Sequence, residues 1–445
     1  MTSPAGDNRT LVVGLGATGL ATARFLAARA EEVLVIDSRA RPPGLQPLRE
    51  SHPDVPVVLG SLDARWLDGI GQVVLSPGLG LNAPIAQEAR RRRIPLLSDI
   101  ELFARAAAAP VLAVTGSNGK STVVTLLQRM LAASGLDVAA GGNLGPPALE
   151  LLDRDASAYV LEVSSFQLEA TNSLQPLAAT VLNVSPDHLD RHGSLEHYAA
   201  LKAGLLGAAN TAVFNWDDEW VRPMGLEHPR AVPFSTRETL KSGYSVVAHD
   251  GERWLARDAE PLLPVVDLLI RGAHNEANAL AALAMADVTD RELAPQLAAL
   301  RSYPGLPHRC QWVTEKAGVD FVNDSKGTNV GATVAALRGL SGPAVLIAGG
   351  QSKGADFGPL AETARDALLG AVLIGEAAPR LEAALSGICP IRQAPDMGAA
   401  VELAWELATP GATVLLSPAC ASLDMFADYA QRGEAFIAAV RELQG

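Results

Sequence analysis

Short apolar runs alternate with longer alanine- and leucine-rich segments along the 445 residues, and this alternation limits the possible folds more than any other feature. The segments Gly19–Ala30, Ser121–Ser134 and Asn278–Ala286 have the composition of helices. The short runs are rich in β-branched residues without polar alternation, which is typical of strands buried on both faces. We therefore predict an α/β fold of βαβ units with parallel sheets. The predicted strands include Leu11–Val13, Val33–Ile36, Val73–Leu75, Val111–Val114, Tyr159–Val163, Thr180–Val184, Ala344–Ala348, Ala371–Ile374 and Thr413–Leu416.

Two segments interrupt the alternation and suggest domain boundaries. One β/α series ends near Pro95–Asp99, and Ser302–His308 contains the turn-rich sequence Tyr-Pro-Gly-Leu-Pro. A chain of this length is expected to form about three domains. Residues 235–271 contain shorter, more polar strands, which we interpret as an antiparallel elaboration of the middle domain. We therefore predict three domains, which cover residues 1–97, 98–305 and 306–445.

Charge and cysteine content limit the classes of partner. Lys and Arg number 36 against 49 Asp and Glu, so the net charge is −13 and argues against a nucleic-acid partner. Cys310, Cys389 and Cys420 lie far apart without a C-x-x-C pair, which favours free thiols in a reducing compartment. The polar N-terminus does not look like a signal peptide, and no run of 18 apolar residues predicts a membrane span. We expect a cytoplasmic protein without a membrane partner.

A first glycine-rich motif, Gly14–Gly19, has the spacing G-x-G-x-x-G between the first strand and a helix. Asp37 ends the next strand, about 20 residues further on. Glycines allow the backbone to approach a phosphate, and the helix N-terminus offers free N–H groups. The motif has three interpretations: an NAD site, a site for the pyrophosphate of another nucleotide, or a tight turn without a ligand. The spacing alone does not distinguish them.

A second motif, Thr115–Thr122, follows the strand Val111–Val114 and precedes a helix. Its backbone N–H groups can wrap phosphates, Lys120 can neutralise them, and the hydroxyl of Ser121 can bind Mg²⁺. Val114 stands where the standard phosphate loop has its first glycine, so an ordinary turn with an exposed lysine is the alternative. We predict an ATP site. Two phosphate loops on two domains argue against a simple dehydrogenase.

Two further residues, Glu162 and His188, lie at predicted strand ends near the second motif. Ligands bind at the carboxyl edge of parallel sheets, so we predict that both residues take part in Mg²⁺ binding. His192 and His197 are predicted to be surface histidines. Lys202 lies on a helical segment and, taken by itself, is expected to be solvated.

The C-terminal third contributes Arg309 and the segment Asp324–Asn329, which contains Lys326. A guanidinium group suits bidentate contact with phosphate, and a lysine can balance charge at a reacting centre. These residue types favour a contribution to the same chemistry as the second phosphate loop.

Together these motifs resemble the Mur ligase family, and in particular its MurD type, over the whole chain. The family resemblance implies a Rossmann-like N-terminal domain for a UDP-linked substrate, a central domain like that of P-loop ATPases, and a Rossmann-like C-terminal domain for glutamate. It rests on Gly14–Gly19, Ser76–Gly78, Gly116–Thr122, Gly142–Gly145, Glu162–Gln167, Asn183–Arg191, Gly272–Asn275, Asn278, Leu306–Arg309, Asp324–Asn329 and Ser417–Phe426.

The resemblance also implies roles for individual residues in substrate binding. The UDP-linked substrate would contact Ala17, Thr18, Asp37, Ser38, Arg39, Ser76 and Gly78, with Asn143 and Gln167 at its muramoyl part. ATP would contact Gly116, Ser117, Asn118, Gly119, Lys120, Ser121, Thr122, Asn278, Arg309 and Asp324. Glutamate would contact Thr328, Lys353, Ser422, Leu423 and Tyr429.

For catalysis, the resemblance implies two Mg²⁺ sites and a carbamylated lysine. Ser121 and Glu162 would hold one ion, and His188 the second. Lys202 would be carbamylated and become a metal ligand, which reverses the expectation from its position alone. Lys120, His188, Lys202 and Lys326 would form the catalytic set.

The implied reaction joins glutamate, with the D enantiomer favoured, to UDP-N-acetylmuramoyl-L-alanine in cytoplasmic peptidoglycan synthesis. ATP would convert the carboxylate to an acyl phosphate, and the amine would attack it through a tetrahedral intermediate. The resemblance further implies a monomer. The alternatives are a sister ligase that uses another amino acid or L-glutamate, a nucleotide-binding regulatory protein and an NAD-dependent oxidoreductase.

Overall fold

The computed structural model describes residues 9–340, 342–352 and 354–443. The chain divides into two compact units. The first contains Met1–Val184, His188–Leu263 and Asn278–Leu300, and the second contains Ser185–Asp187, Pro264–Ala277 and Arg301–Gly445. Within the described ranges, two β-sheets belong essentially to the first unit and one belongs to the second.

The first sheet has five parallel strands in the order β3-β2-β1-β4-β5. Its central strand β1 is almost fully buried, as the continuous apolar run predicted. Helix α3 begins with Pro84, at a position where the missing N–H breaks no helical hydrogen bond. The strands are β1 (Arg9–Val13), β2 (Val33–Asp37), β3 (Val57–Leu59), β4 (Ile70–Leu75) and β5 (Leu96–Leu97). The helices are α1 (Ala17–Ala27), α2 (Leu45–Ser51) and α3 (Pro84–Arg91), with a 3-10 turn at Ala64–Leu67.

The second sheet has nine strands in the order β14-β13-β12-β11-β10-β9-β6-β8-β7. Strands β6 to β12 pair in parallel, whereas β12 and β13 form an antiparallel hairpin. This hairpin confirms the antiparallel elaboration predicted within residues 235–271. The strands are β6 (Val111–Thr115), β7 (Val138–Gly142), β8 (Ala158–Glu162), β9 (Ala178–Val181), β10 (Thr211–Asn215), β11 (Ala231–Ser235), β12 (Tyr244–His249), β13 (Glu252–Arg257) and β14 (Glu260–Pro264).

In the described part of the chain, eight helices lie between the first sheet and the third in chain order: one precedes β6, and the others connect the strands of the second sheet or follow them. The side chain of Ser98 accepts a hydrogen bond from the Glu101 amide at 3.0 Å and caps the first of these helices. They are α4 (Asp99–Ala106), α5 (Lys120–Ala133), α6 (Ser165–Leu168), α7 (Leu189–His192), α8 (Leu195–Gly207), α9 (Val221–Leu226), α10 (Ala273–Asp287) and α11 (Leu293–Arg301). Two 3-10 turns lie at Ala148–Asp153 and Val265–Asp267.

The third sheet forms the core of the second unit, in the order β15-β16-β20-β17-β18-β19. It is parallel except for β15, which pairs antiparallel with β16 at the edge. The apolar pattern of the sequence does not reveal this edge strand, because its residues are polar and half-exposed. The strands are β15 (Gln311–Lys316), β16 (Val319–Asn323), β17 (Ala344–Gly349), β18 (Leu368–Ile374), β19 (Ile391–Gln393) and β20 (Thr413–Leu416). The helices are α12 (Val330–Arg338), α13 (Gly358–Ala367), α14 (Ala378–Leu385), α15 (Met397–Leu407) and α16 (Tyr429–Glu442).

These three sheets confirm the predicted α/β class. None of the helices in the described ranges is long and apolar enough to cross a bilayer. Because parallel strands end at a common sheet edge, the loops that follow β1, β6 and β16 lie where ligands bind in such folds.

Candidate active site

The second glycine-rich motif forms a tight loop between β6 and α5. Gly116 and Gly119 have φ angles of 151° and 85°, a backbone conformation that favours glycine. The amide of Asn118 donates to the side-chain oxygen of Asn183 at 2.8 Å, and the Asn183 amide group donates back to the Asn118 carbonyl at 3.1 Å. The amide of Ser117 donates to the Asn183 carbonyl at 3.0 Å. The segment after β9 therefore fixes the shape of the loop.

Lys120 and Asn278 both lie against this loop. The Lys120 Nζ donates to the carbonyls of Gly116 and Ser117 at 2.7 and 2.9 Å, so the ammonium lies over the loop itself. A Cβ atom added to Gly119 would collide with the Asn278 side-chain oxygen. The structure thus brings the predicted ATP residues Lys120 and Asn278 together, where helix N-terminal amides can also face a phosphate.

Glu162 places a buried carboxylate, 3% exposed, beside the phosphate loop. It ends β8, the neighbour of β6, and its Oε2 accepts a hydrogen bond from Ser121 Oγ at 2.5 Å. Its Oε1 accepts a hydrogen bond from the Asn143 side chain at 2.6 Å. Within the described ranges no three His, Cys, Asp or Glu side chains cluster as a metal site. A hydroxyl and one carboxylate nevertheless fit Mg²⁺, which usually completes its shell with substrate phosphates and water.

Lys202 is 1% exposed, so the interpretation of this residue as a solvated helix lysine is wrong. Its Nζ lies 3.2 Å from the Gly116 carbonyl, 3.4 Å from Thr115 Oγ1 and 4.3 Å from the centre of the Tyr198 ring. The Tyr198 hydroxyl in turn lies 3.1 Å from Ser117 Oγ. Lys202 shares the buried face of α8 with tyrosine, alanine and leucine residues, and this periodicity was the sequence signal for its burial.

His188 and His192 both lie against one aromatic ring. His188 is exposed, has a φ of 53° at the start of α7, and its ring centre lies 4.7 Å from that of Phe166. His192 stacks on Phe166 at 5.5 Å, and its Nε2 lies 3.0 Å from Ser165 Oγ. The surface position predicted for His192 is wrong, because α7 packs this residue against α6, and burial lowers its pKa. His197 is exposed, as predicted.

In the first sheet, the G-x-G-x-x-G loop is closely packed. A Cβ on Gly19 would overlap the Gly14 carbonyl oxygen, and one on Gly14 would lie 2.8 Å from Ser76 Oγ. The Ser76 hydroxyl donates to the Gly14 carbonyl at 3.0 Å. Glycine is therefore required for the approach of α1 to β1. Ala17 and Thr18 form the first turn of α1, where free amides face outward.

Asp37 is buried at the end of β2, and both of its carboxylate oxygens are engaged. They accept hydrogen bonds from the Leu15 amide at 2.7 Å, from the Arg39 amide at 2.8 Å and from the Arg39 guanidinium at 2.7 and 2.9 Å. Burial raises the pKa of Asp37, but these hydrogen bonds outweigh it and lower the pKa to about 2. In an NAD site this carboxylate would accept hydrogen bonds from the ribose hydroxyls. Here it holds Arg39, beside exposed Ser38, which weakens the NAD interpretation.

Gln167 and Asn143, both predicted at the muramoyl part, have different surroundings. Gln167 is buried, donates to the Asp99 carboxylate at 3.1 and 3.2 Å, and accepts from the Ser164 amide and hydroxyl at 3.0 and 2.9 Å. Burial raises the pKa of Asp99 to about 6. Asn143 is exposed and contacts Glu162. Asn143 therefore lies beside Glu162, whereas Gln167 holds the start of α6 in place.

In the second unit, Asp324 follows β16 and is buried. Its oxygens accept hydrogen bonds from the Cys310 amide at 3.2 Å and from Ser417 Oγ at 2.7 Å. Burial raises the pKa of Asp324 to about 6. Two residues further on, the Lys326 Nζ lies 3.9 Å from the centre of the Tyr429 ring. Lys326 thus connects the loop of the predicted ATP residue Asp324 to the predicted glutamate residue Tyr429, at the start of α16.

The remaining predicted residues of this unit differ in exposure. Arg309 and Thr328 are half-buried, and Ser422 is buried. Leu423 is 64% exposed, which leaves an apolar side chain available to a ligand. Lys353 lies outside the described residues.

Arg432 is a residue that the sequence motifs did not point to. It is 0% exposed, and its guanidinium donates to the hydroxyl and carbonyl of Ser325 at 3.0 and 2.8 Å. It also donates to the carbonyls of Gly349 at 3.4 Å and Cys420 at 3.2 Å. Burial lowers the pKa of Arg432 to about 10. One side chain of α16 therefore joins the loops after β16 and β20 to the end of β17, and its place on the buried face of that helix was the available signal.

The fold and the phosphate loop with its lysine and buried carboxylate define an ATP-using enzyme built on α/β sheets. The chain belongs to the Mur ligase family. Its residues 8–98 match the family "Mur ligase MurD-like, N-terminal domain", residues 114–286 match "Mur ligase middle domain", and residues 308–420 match "Mur ligase, glutamate ligase domain".

Similar proteins extend over nearly the whole chain. The UDP-N-acetylmuramoylalanine–D-glutamate ligase of Methylococcus capsulatus is 48% identical over 98% of this chain and 95% of its own length. The protein of the same name from Nitrosococcus oceani is 48% identical over 98% of this chain and 96% of its own. That of Legionella pneumophila strain Paris is 44% identical over 97% and 99%, respectively.

Solved structures share the fold at low sequence identity. A pseudomurein peptide ligase type C from Methanothermus fervidus has a TM-score of 0.63 and 18% identity, over 98% of this chain and 100% of its own. The UDP-N-acetylmuramate-alanine ligase of Thermotoga maritima has a TM-score of 0.62 and 18% identity, over 97% and 99%. The MurF ligase of Thermotoga maritima, solved in complex with ADP, has a TM-score of 0.59 and 17% identity, over 99% and 97%.

Proposed function

We propose that this chain joins D-glutamate to UDP-N-acetylmuramoyl-L-alanine at the expense of ATP, in the synthesis of peptidoglycan precursors. The observation that carries the proposal is the 48% identity, over 98% of the chain, to a UDP-N-acetylmuramoylalanine–D-glutamate ligase. The loop around Lys120 supplies the independent physical argument, because it is built to hold the phosphates of a nucleotide.

ATP is needed because a carboxylate is a poor electrophile for an amine. Transfer of the γ-phosphoryl group to the carboxylate of the UDP-linked substrate gives an acyl phosphate. The glutamate amine attacks its carbonyl carbon, and the tetrahedral intermediate collapses to the amide and phosphate. The protein contributes mainly by holding the reactants in line and by neutralising charge on the transferred group. Lys120 serves the β- and γ-phosphates, and His188 and Lys326 would stabilise charge near the acyl phosphate.

Ser121 and Glu162 would hold Mg²⁺ at the phosphates, where the ion neutralises charge on the phosphoryl oxygens. The buried hydroxyl–carboxylate pair supports this assignment. We propose a second ion at His188, with Lys202 in its carbamylated form as a further ligand. The burial of Lys202 beside the Gly116 carbonyl supports its part in this site.

The UDP-linked substrate is proposed to bind at the loop after β1, with Arg39 held in place by Asp37. Backbone amides at Ala17 and Thr18 would contact the pyrophosphate, with Ser38, Ser76 and Gly78 around it. Asn143 would contact the muramoyl part directly. Gln167 would act through the position of α6, since its own amide is engaged with Ser164 and Asp99.

Glutamate is proposed to bind in the second unit, at Thr328, Lys353, Ser422, Leu423 and Tyr429. Arg309 and Asp324 are proposed to contact ATP. The family matches at 8–98, 114–286 and 308–420 support domains of residues 1–97, 98–305 and 306–445. We further propose that the enzyme acts in the cytoplasm as a monomer, as the family resemblance implies.

The test is phosphate release measured with each substrate omitted in turn. The proposal expects release only when UDP-N-acetylmuramoyl-L-alanine, D-glutamate and ATP are all present, with L-glutamate inactive. Release without glutamate would contradict the assigned amino acid. Reduction of a nicotinamide cofactor without use of ATP would instead support the oxidoreductase alternative.

A further inference from the structure

Arg191, the third residue of α7, has several polar partners within the first unit. Its guanidinium makes a fork to the Glu169 carboxylate, with distances of 2.6 and 3.1 Å. It also donates to the backbone carbonyls of Pro77 at 2.5 Å and Leu79 at 3.1 Å. The face of the same guanidinium lies 4.0 Å from the centre of the Phe166 ring. An arginine in such a position cannot be replaced by lysine without loss of contacts.

These contacts are shielded from water, so they count for more than a surface ion pair. The side chains of Arg191 and Glu169 are only 13% and 7% exposed. His192 adds to the cluster, because its Nδ1 lies 3.3 Å from the same Glu169 carboxylate. A partly buried, forked arginine–carboxylate pair is among the stronger polar contacts in proteins, whereas exposed pairs contribute little.

The partners of Arg191 belong to two parts of the proposed site. Pro77 and Leu79 lie in the loop after β4, which carries Ser76 and Gly78 toward the UDP-linked substrate. Phe166 contacts His188 at 4.7 Å between ring centres, and His188 starts the same helical turn that carries Arg191. A single side chain therefore joins the backbone of the loop at the first sheet to the turn that presents His188.

We infer that Arg191 is a positioning residue that couples the loop Ser76–Leu79 to the turn carrying His188. It contacts no reacting atom; it fixes the carbonyls of the loop so that Ser76 and Gly78 keep their place for the UDP-linked substrate. The same guanidinium, through Phe166 and Glu169, sets the position of the His188 turn. The inference rests on the proposed function, since it assigns the loop to that substrate.

The test compares Arg191→Lys with a matched control, Arg105→Lys. Arg105 also pairs with a buried carboxylate, Glu101 at 3.0 Å, but its own side chain is 48% exposed and donates to no loop of the first sheet among its described contacts. The affinity for UDP-N-acetylmuramoyl-L-alanine is measured by calorimetry without ATP. The KM for each substrate and the kcat are measured by phosphate release.

Arg191→Lys is expected to weaken the binding of the UDP-linked substrate by roughly tenfold and to lower kcat, because lost charge-assisted hydrogen bonds are worth about one such factor. The KM for ATP should stay at the wild-type value, and Arg105→Lys should match wild type throughout. Equal weakening of ATP and the UDP-linked substrate would indicate a general loss of structure and overturn the inference. Unchanged affinity would overturn it as well.

Glu169→Gln provides a second variant that leaves the guanidinium in place and weakens its fork. It should show a smaller loss of affinity for the UDP-linked substrate, again without a change in the KM for ATP. If Arg191→Lys does not fold, this variant provides the test. Wild-type affinity in both calorimetry and kinetics for Glu169→Gln would then overturn the inference. Failure of the proposed function is distinct, since wild-type protein itself would not release phosphate in dependence on all three substrates.

Discussion

The two glycine-rich loops of the first unit each follow an interior strand of a parallel sheet, yet their charged side chains are arranged in opposite ways. At Gly14–Gly19 the nearby carboxylate, Asp37, is fully occupied by Arg39 and the Leu15 amide. At Gly116–Gly119 the neighbouring Lys120 lies over the loop, and Glu162 accepts a hydrogen bond from the Ser121 hydroxyl. This hydroxyl–carboxylate pair could bind a metal ion. Under the proposed function, the first loop would hold a phosphate that does not react, and the second would neutralise phosphates in transfer.

The largest expected effect comes from removing the cation of the second loop. Lys120→Ala should lower kcat by about a thousandfold, because it removes charge stabilisation from the transferred phosphoryl group. Affinity for the UDP-linked substrate, measured by calorimetry without ATP, should not change. Lys241→Ala, at an exposed lysine, is the control and should keep wild-type activity. If Lys120→Ala weakened the binding of the UDP-linked substrate instead, the division of work between the loops would be wrong.

The metal side of the comparison is tested at Glu162. Glu162→Gln keeps the shape but removes the charge, so activity at low Mg²⁺ should fall by roughly a hundredfold and recover in part at high Mg²⁺. A magnesium titration of phosphate release measures this effect. Glu150→Gln, an exposed substitution in the same unit, should give the wild-type titration curve. A loss that no Mg²⁺ concentration relieves would contradict a metal role for Glu162.

In the first loop, Arg39→Ala should affect binding far more than chemistry. Affinity for the UDP-linked substrate should fall by roughly tenfold, the worth of one charge-assisted hydrogen bond, with kcat within about twofold of wild type. Arg41→Ala changes an exposed arginine two residues away and should bind normally. Loss of kcat at saturating substrate would instead give the first loop a part in the chemical step, and the two loops would no longer differ in function.

The smallest expected effect is on stability, and it disappears at acidic pH. The folded-state pKa of Asp37, about 2, is below its ordinary value of 3.8. Its contribution to stability is therefore present above pH 3.8 and is lost as the pH falls toward 2. Asp37→Asn should lower the free energy of unfolding by roughly 1 to 2 kcal/mol at neutral pH, a modest loss because Arg39 is half-exposed and solvent screens the pair. Near pH 2 the substitution should cost little, because Asp37 then becomes protonated in the wild-type protein as well. Urea unfolding at several pH values measures this, with Asp54→Asn as the exposed control.

The fold class and the positions of both glycine-rich turns were predictable, because hydrophobic periodicity and glycine spacing are local properties of the sequence. The burial of Lys202 could also have been predicted from its helix periodicity. The burial of His192 could not, because it depends on how α7 packs against α6, which no short window of sequence contains. The fork of Arg191 to Glu169 likewise joins residues 22 positions apart, and the same guanidinium reaches a loop 114 positions away.

The engagement of Gln167 shows a second limit of sequence reasoning. A family resemblance predicts the role of a residue, but it does not show which of its hydrogen-bonding groups are already used by neighbouring residues. Once the Gln167 amide is seen to be shared between Ser164 and Asp99, a contact with substrate requires another group to be displaced. The distinction between a ligand contact and a supporting contact thus needs the complete set of hydrogen bonds.

The guanidinium of Arg432 joins three segments that are far apart in the sequence, namely the loops at Ser325 and Cys420 and the end of β17 at Gly349. Breaking any one of these segments away leaves part of a fully buried cation without partners, which is costly. The three segments should therefore open as one cooperative unit, and their protected amides should exchange with deuterium at a common rate. A backbone shift in one of these segments should therefore strain the other two.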